Sequence, residues 1–261
     1  MIRTAWPRLH LFEWHDQPWL PSLLRRAATD YLAAAIDVAR PFTPLAPRIA
    51  AVCARTGHDR IVDLCSGGAG PWRHLAGEVA AALGAPIRVT LTDRYPDPAA
   101  FARAGAGGET VRGLARPVDA LAVSETLSGV RTMFDALHHF RPGEARAILA
   151  DAHRRRQPIV VAEVARRSLF SVLPMLLLVP LLVLALTPRI RPCSGWRLLF
   201  TYLIPVLPIL ITWDGVVSCL RAYRPAELRA LTEGLDGFDW EVGEERRRGT
   251  VVTYLVGTPR P

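Results

Sequence analysis

Residues 61–72 read IVDLCSGGAGPW, an apolar strand that ends on an acid and then turns through Gly67, Gly68 and Gly70 into a segment of helical character. This junction constrains the fold more than any other short stretch of the chain. A strand that passes through a small-residue turn into a helix aims the helix's first N–H groups at the strand's C-terminal end, where a ligand can meet the backbone. Glycine serves there because a Cβ would take up ligand volume. The spacing is not G-x-G-x-x-G, and Pro71 stands where the helix starts, so the dinucleotide fingerprint is missing.

The surrounding pattern repeats the strand–helix alternation. Strands are expected at 60–64, 87–93, 109–113, 130–134 and 158–164, with helix-compatible segments at 71–84, 97–107 and 141–156. Near-continuously apolar strands alternating with helices mean a parallel sheet covered on both faces. Ahead of them, 18–39 has helical spacing with Asp16 as an N-cap, 40–47 (RPFTPLAP) breaks it, and 48–56 is a second helix. Residues 224–235 read as a helix, and 238–259 as a hairpin that adds an antiparallel edge.

Half of the 261 residues are hydrophobic, more than such a core needs, and the excess is concentrated. Residues 168–188 and 198–213 carry no charge, are interrupted by Pro174, Pro180, Pro205 and Pro208, and are joined by a connector holding Arg189, Arg191 and Arg197. Arg166, Arg167, Arg221 and Arg224 flank them. Basic flanks on every side suit a helical hairpin dipping into one leaflet with its arginines at the headgroups; two short transmembrane helices and an apolar lid are the other readings. The expected organisation is a helical cap over 1–47, an α/β domain from 48–165 and 214–261, and the hydrophobic hairpin insertion at 166–213.

The formal charge is +8, and all 32 basic residues are arginine. Without lysine there is no P-loop phosphate lysine, no Schiff-base lysine and no kinase lysine. The arginines are scattered and do not alternate with aromatics, so no nucleic acid is expected as a partner. Cys53, Cys65, Cys193 and Cys219 have no metal-ligand spacing and read as buried free thiols of a reducing compartment. No metal site is expected. Residues 1–19 lack a continuous apolar run and a cleavage site, which places the catalytic part in the cytoplasm, at the inner face of a membrane.

IVDLCSGGAG (61–70), VTLTD (89–93), RPVDA (116–120) and FDALHHF (134–140) together resemble the ordered motifs of class I S-adenosylmethionine-dependent methyltransferases over residues 48–165. The resemblance implies an α/β, Rossmann-like, doubly wound seven-stranded sheet with an antiparallel last strand, S-adenosylmethionine as cofactor, and methyl transfer. It puts Asp63 near the methionine end, with the turn of Cys65, Ser66, Gly67, Gly68 and Gly70 beneath the cofactor. Asp93 would hold the ribose diol with Arg94 beside the adenine, and Asp119 would accept from the adenine amino group with Ala120 close by. The chain departs from the family at Cys65 and Ala69, where glycine is common.

A hydroxyl, amine or acidic-carbon acceptor must lose a proton, and His138 and His139 after the fourth strand are the candidate bases. Asp135 and Glu163 are alternatives that arginines such as Arg131 or Arg166 would otherwise pair, and Asp214 is a candidate on the substrate side. Trp14, Trp19 and Tyr31 wall an acceptor pocket, serve as packing, or sit at a bilayer interface. The apolar insertion leaves the fifth strand's C-terminal end, so a hydrophobic small molecule or lipid is the expected acceptor. A non-catalytic membrane-associated binding module and an NAD(P)-dependent reductase are the competing readings.

Overall fold

The computed structural model describes residues 6–106, 108–247 and 249–260. The chain forms two compact units, one of Met1–Ala35 with Ala165–Arg224 and one of Ile36–Val164 with Pro225–Pro261. The first division falls inside helix α1 (Ser22–Ala39). The N-terminal residues and the apolar insertion, expected as separate parts, thus belong to a single unit.

The larger unit holds β1 (Arg60–Asp63), β2 (Arg88–Leu91), β3 (Val111–Gly113), β4 (Val130–Phe134), β5 (Ile159–Glu163), β6 (Phe238–Arg247) and β7 (Thr250–Pro259). Their order is β3-β2-β1-β4-β5-β7-β6. The first five are parallel, and β7 lies antiparallel between β5 and β6. This is the expected Rossmann-like doubly wound sheet with its antiparallel last strand. The order reverses at β1, whose neighbours are β2 and β4, and ligands of such sheets bind at the C-terminal ends beside that reversal.

Strand alternation divides the core in two. Val130, Thr132 and Phe134 point to the face covered by α2 (Ala46–Thr56) and α3 (Trp72–Leu83), where Phe42, Ile49, Trp72 and Leu75 are fully buried. Phe134 meets Phe42 and Trp72 edge-on, at ring-centroid distances of 4.9 and 5.7 Å. Helix α4 (Pro98–Gly105) begins at Asp97, whose carboxylate accepts from the N–H of Ala99 and Ala100. Arg131 points the opposite way, toward α5 (Pro142–Arg154). It is completely buried and donates to Asp151 (2.8 Å) and Gln157 (2.7 Å), not to Asp135 or Glu163. Helix α9 (Pro225–Thr232) packs against α5 and β6.

In the smaller unit the first apolar run is α6 (Leu169–Leu186), uninterrupted by Pro174 and Pro180. The second run is not one helix. A short α7 (Gly195–Leu198) passes into a π-helical turn (Leu199–Leu203), breaks at Ile204 and Pro205, and resumes as α8 (Val206–Arg221) after a bend of 74°. Pro208 falls in the first turn of α8, where its missing N–H costs nothing. Since α8 runs on to Arg221, the boundary expected at 213/214 lies inside a helix. Gly215 permits this packing: a Cβ there would meet Met175 Sδ of α6 at 3.3 Å. Leu20, Ala27, Ala28 and Tyr31 share a core with Val183, Ile190, Leu207, Leu210 and Ile211.

Two flanking arginines are not available to headgroups as expected. Arg197 is buried and donates to Asp30 (2.5 Å) and to the Pro192 carbonyl (3.0 Å). Arg221 is buried and donates to Asp16 (2.5 Å) and the Leu11 carbonyl (2.7 Å), with Glu13 3.3 Å away. Asp16 is therefore a counter-ion, and α1 starts at Pro21, whose carbonyl accepts from Leu24 and Arg25. The burial expected of the cysteines is found at Cys53 and Cys219 but not at Cys65, which is half-buried, or Cys193, which is exposed on the connector.

Burial pushes the Asp151 carboxyl up, but the guanidinium bonds from Arg131 and Arg155 outweigh it and hold it below the usual range. Asp151→Ala leaves Arg131 charged without its carboxylate partner inside the protein, so equilibrium urea unfolding should show a loss of about 3–5 kcal/mol.

Candidate functional site

The turn after β1 is fastened to both neighbouring strands. Leu64 N–H donates to the Thr132 carbonyl on β4 (2.8 Å), Ser66 N–H to the Thr92 carbonyl (2.9 Å) and Thr92 N–H to the Asp63 carbonyl (2.9 Å). Beneath it lies the Asp63 carboxylate, buried, accepting from Ser66 Oγ (2.6 Å) and Thr132 Oγ1 (2.6 Å). Burial pushes this carboxyl up to about 6, against the two hydroxyl bonds that pull it down. Asp63 thus shapes the turn from below.

Above the carboxylate the backbone enters the left-handed region repeatedly: φ is 57° at Cys65, 51° at Gly67, 89° at Ala69 and 52° at Gly70. Cys65 and Ala69 are the two positions where the sequence departs from glycine. The turn keeps the left-handed conformation there and carries the Cβ strain. Ala69 is fully buried, whereas Ser66 is engaged entirely within the protein, bonded to Asp63 and to Thr92 N–H (3.1 Å).

Asp93 ends the β2 segment at the rim. Its Oδ2 accepts from Gly67 N–H (2.8 Å) and its Oδ1 from Tyr95 N–H (2.7 Å). A carboxylate offers about four lone-pair sites, so each oxygen keeps one acceptor site beyond these amides. The Asp93 carbonyl accepts from Val118 N–H (2.8 Å), which ties the 117–120 segment to the same rim. There Asp119 Oδ1 accepts from Leu121 N–H (2.9 Å), while Ala120 is buried. Arg94 is exposed, its guanidinium 6.0 Å from the Tyr95 ring. Tyr95, an exposed aromatic two residues past Asp93, was not singled out in the sequence; nothing but its adjacency marks it.

The histidine pair follows β4. His138 Nδ1 lies 2.5 Å from Glu163 Oε2 at the end of β5, and the other oxygen, Oε1, accepts from Leu137 N–H (2.7 Å). Both side chains are buried. His139 is half-buried, its ring 4.4 Å from that of His138. Glu163 and His138, read from the sequence as alternatives, are one carboxylate–imidazole pair. In a neutral ring, a carboxylate on Nδ1 holds the proton there and leaves the lone pair to Nε2. Asp135, at φ 46°, accepts from Val164 N–H (2.5 Å).

Asp214, in the smaller unit, accepts from Trp14 N–H (2.8 Å) and His15 N–H (3.1 Å) and so fastens the N-terminal segment to α8. Trp14 stands edge-on to Phe12 and Trp19, and Tyr31 is buried in that unit's core.

No family model and no curated protein matches the sequence. Solved structures do. An O-methyltransferase family protein from Burkholderia thailandensis is 14% identical with a TM-score of 0.50, over 86% of this chain and 57% of that one. Magnesium protoporphyrin IX methyltransferase from Synechocystis PCC 6803, with SAH bound, is 14% identical over 84% of each chain with a TM-score of 0.46. Human N-acetylserotonin methyltransferase, in complex with SAM, is 14% identical over 83% of this chain and 52% of that one, at 0.45. The chain spans a little over half the length of the Burkholderia protein, and together with the strand order that likeness establishes the Rossmann-like methyltransferase fold.

Two outcomes test the turn. Ala69→Gly removes a Cβ from left-handed backbone and should stabilise the protein by about 1 kcal/mol, read as a rise in Tm. The folded pKa of Asp63, about 6, exceeds its ordinary 3.8, so between these values the folded state binds a proton that the unfolded chain does not. Relative to Asp63→Asn, the unaltered protein should therefore gain stability as pH falls from about 6 to about 4, by up to about 3 kcal/mol in urea titrations.

Proposed function

We propose that the chain is an S-adenosylmethionine-dependent methyltransferase acting on a hydrophobic, membrane-resident small molecule or lipid. The observation that carries this reading is Asp93, which anchors the glycine turn and keeps an acceptor site on each carboxylate oxygen, as a vicinal ribose diol requires. Asp119 and Ala120, drawn to the rim by the Val118–Asp93 bond, would take the adenine edge, and the Tyr95 ring offers an apolar face beside Arg94. The turn from Cys65 to Gly70 would run beneath the cofactor, with Asp63 holding its shape.

When bound, the cofactor supplies an electrophilic methyl carbon on a sulfonium. The protein then has to align the acceptor and take its proton. Glu163 orients the His138 ring through Nδ1, and Nε2 is the basic atom that would accept a hydroxyl proton. His139, stacked against His138, would restrict the same end of the site.

Support for an apolar acceptor and for membrane association comes from α6. Its 18 residues have a mean hydropathy of 2.7, and Val183 is its one buried residue. It follows β5 and Glu163 directly in the chain. Four cysteines with no close spacing among them suit a reducing compartment and hence the cytoplasmic face.

Calorimetric titration should give saturable binding of S-adenosylmethionine and none of NADPH; the opposite pattern would refute the assignment. Asp93→Ala should weaken cofactor binding by about 100-fold or more. His138→Ala should leave that binding intact and lower kcat by about 10²–10⁴ with a labelled methyl donor and a total lipid extract.

A further inference from the structure

We propose that α6 lies in the plane of one lipid leaflet instead of crossing the bilayer, with α1 on the aqueous side. This deepens, and rests on, the membrane association proposed above.

The first ground is the shape of the exposed surface. At about 100° per residue, Met175, Val179, Val183 and Leu186 form the inner stripe of α6, facing the unit's own core. The remaining arc, roughly two-thirds of the circumference, is apolar and solvent-facing along the whole helix. Phe170 is 91% exposed, Leu177 58% and Leu181 61%. A partner helix would cover one stripe of such an arc, whereas acyl chains surround all of it without needing complementary shape.

The second ground is what stands behind the inner stripe. Val183, the fifteenth of the eighteen residues of α6, shares its core with Ala27, Ala28 and Tyr31, so the C-terminal part of α6 is backed by α1. That helix carries an exposed Arg26 and the Asp30 that pairs with Arg197. A helix that crosses a bilayer needs apolar surroundings on every side at each depth, and charged groups held at mid-bilayer are costly. With α6 upright, the Asp214 carboxylate, beside the Gly215 that approaches Met175, the seventh residue of α6, would sit at hydrocarbon depth. With α6 flat, it and the charges of α1 lie on the aqueous side. Arg189 and Arg191, exposed at its C-terminal end, then lie at headgroup level.

The third ground is the edge of this surface. Ile209 and Trp213 are the exposed stripe of α8 next to α6, and Trp213 tilts onto Phe12 at 5.4 Å. Phe12, Trp14 and Trp19 continue the contact as a chain of rings, with Trp19 62% exposed. Such rings favour the boundary between headgroups and acyl chains.

Spin labels at Phe170→Cys, Leu177→Cys and Leu181→Cys, three positions on one line of the helix, and at Arg26→Cys decide the matter, each in a Cys193→Ser background. The full chain is bound to phosphatidylethanolamine–phosphatidylglycerol vesicles, and depth is read from collisions with oxygen and with a water-soluble nickel chelate. The expected result is one shared shallow depth for the three α6 sites, with Arg26→Cys open to the nickel chelate. A label at 170 that is shallower than those at 177 and 181 by about 10 Å, because it stands seven residues further than they do from the midpoint of Leu169–Arg189 at about 1.5 Å each, overturns the in-plane orientation but keeps the membrane. Failure to float with vesicles, with cofactor binding intact, overturns both this inference and the membrane association while sparing the methyltransferase reading.

Discussion

The rim of the sheet depends on one buried carboxylate. Asp63 takes a hydroxyl from β4 through Thr132 and one from its own turn through Ser66. Among the described residues no cation pairs with it; the Ser66 and Thr132 hydroxyls carry the charge, and burial outweighs them in its titration. Because Ser66 is held on both its N–H and its hydroxyl, the turn above it has one conformation available. That conformation puts Gly67 N–H within 2.8 Å of Asp93, and so brings the β2 tip and the turn to a single place.

The charges of the smaller unit follow a different logic. Two of the arginines that surround the apolar runs in sequence are turned inward, Arg197 with Asp30 and Arg221 with Asp16 and Glu13, while Arg189 and Arg191 are exposed. Buried guanidinium groups require such partners. They fasten the N-terminal segment and α1 to the apolar elements, and the exposed apolar surface is left largely to α6 and the outer stripe of α8.

The larger unit was legible in the sequence to within a few residues, because strand and helix periods are local and its strands are apolar throughout. The antiparallel hairpin was equally plain, since a charged turn separates two β-rich runs. Asp93, past the end of β2, and Asp119, in the segment bonded to it, were marked by their order along the chain. What was not legible depends on registers and folding at a distance. Thr132 has no sequence mark until β4 is laid beside β1 with Asp63 opposite it. Glu163 and His138 look independent across 25 positions, and become a pair only when β5 is set against β4. The merging of the N-terminal residues with the insertion was hidden for the same reason, as its ion pairs join residues about 200 apart. The prolines misled locally: Pro174 and Pro180, read as interruptions, lie inside an unbroken α6, while Pro205 does break the second run.

Arg131 adds a consequence for how the sheet assembles. A slip of one residue between β4 and its neighbours would turn this guanidinium into the aromatic layer of Phe42 and Trp72, and would carry Thr132 away from Asp63. The mispaired sheet would have to bury a bare cation and abandon an acid in the same movement. A parallel strand of five uniformly enclosed residues is otherwise poorly indexed, and here a single charge supplies the tooth that allows only one alignment.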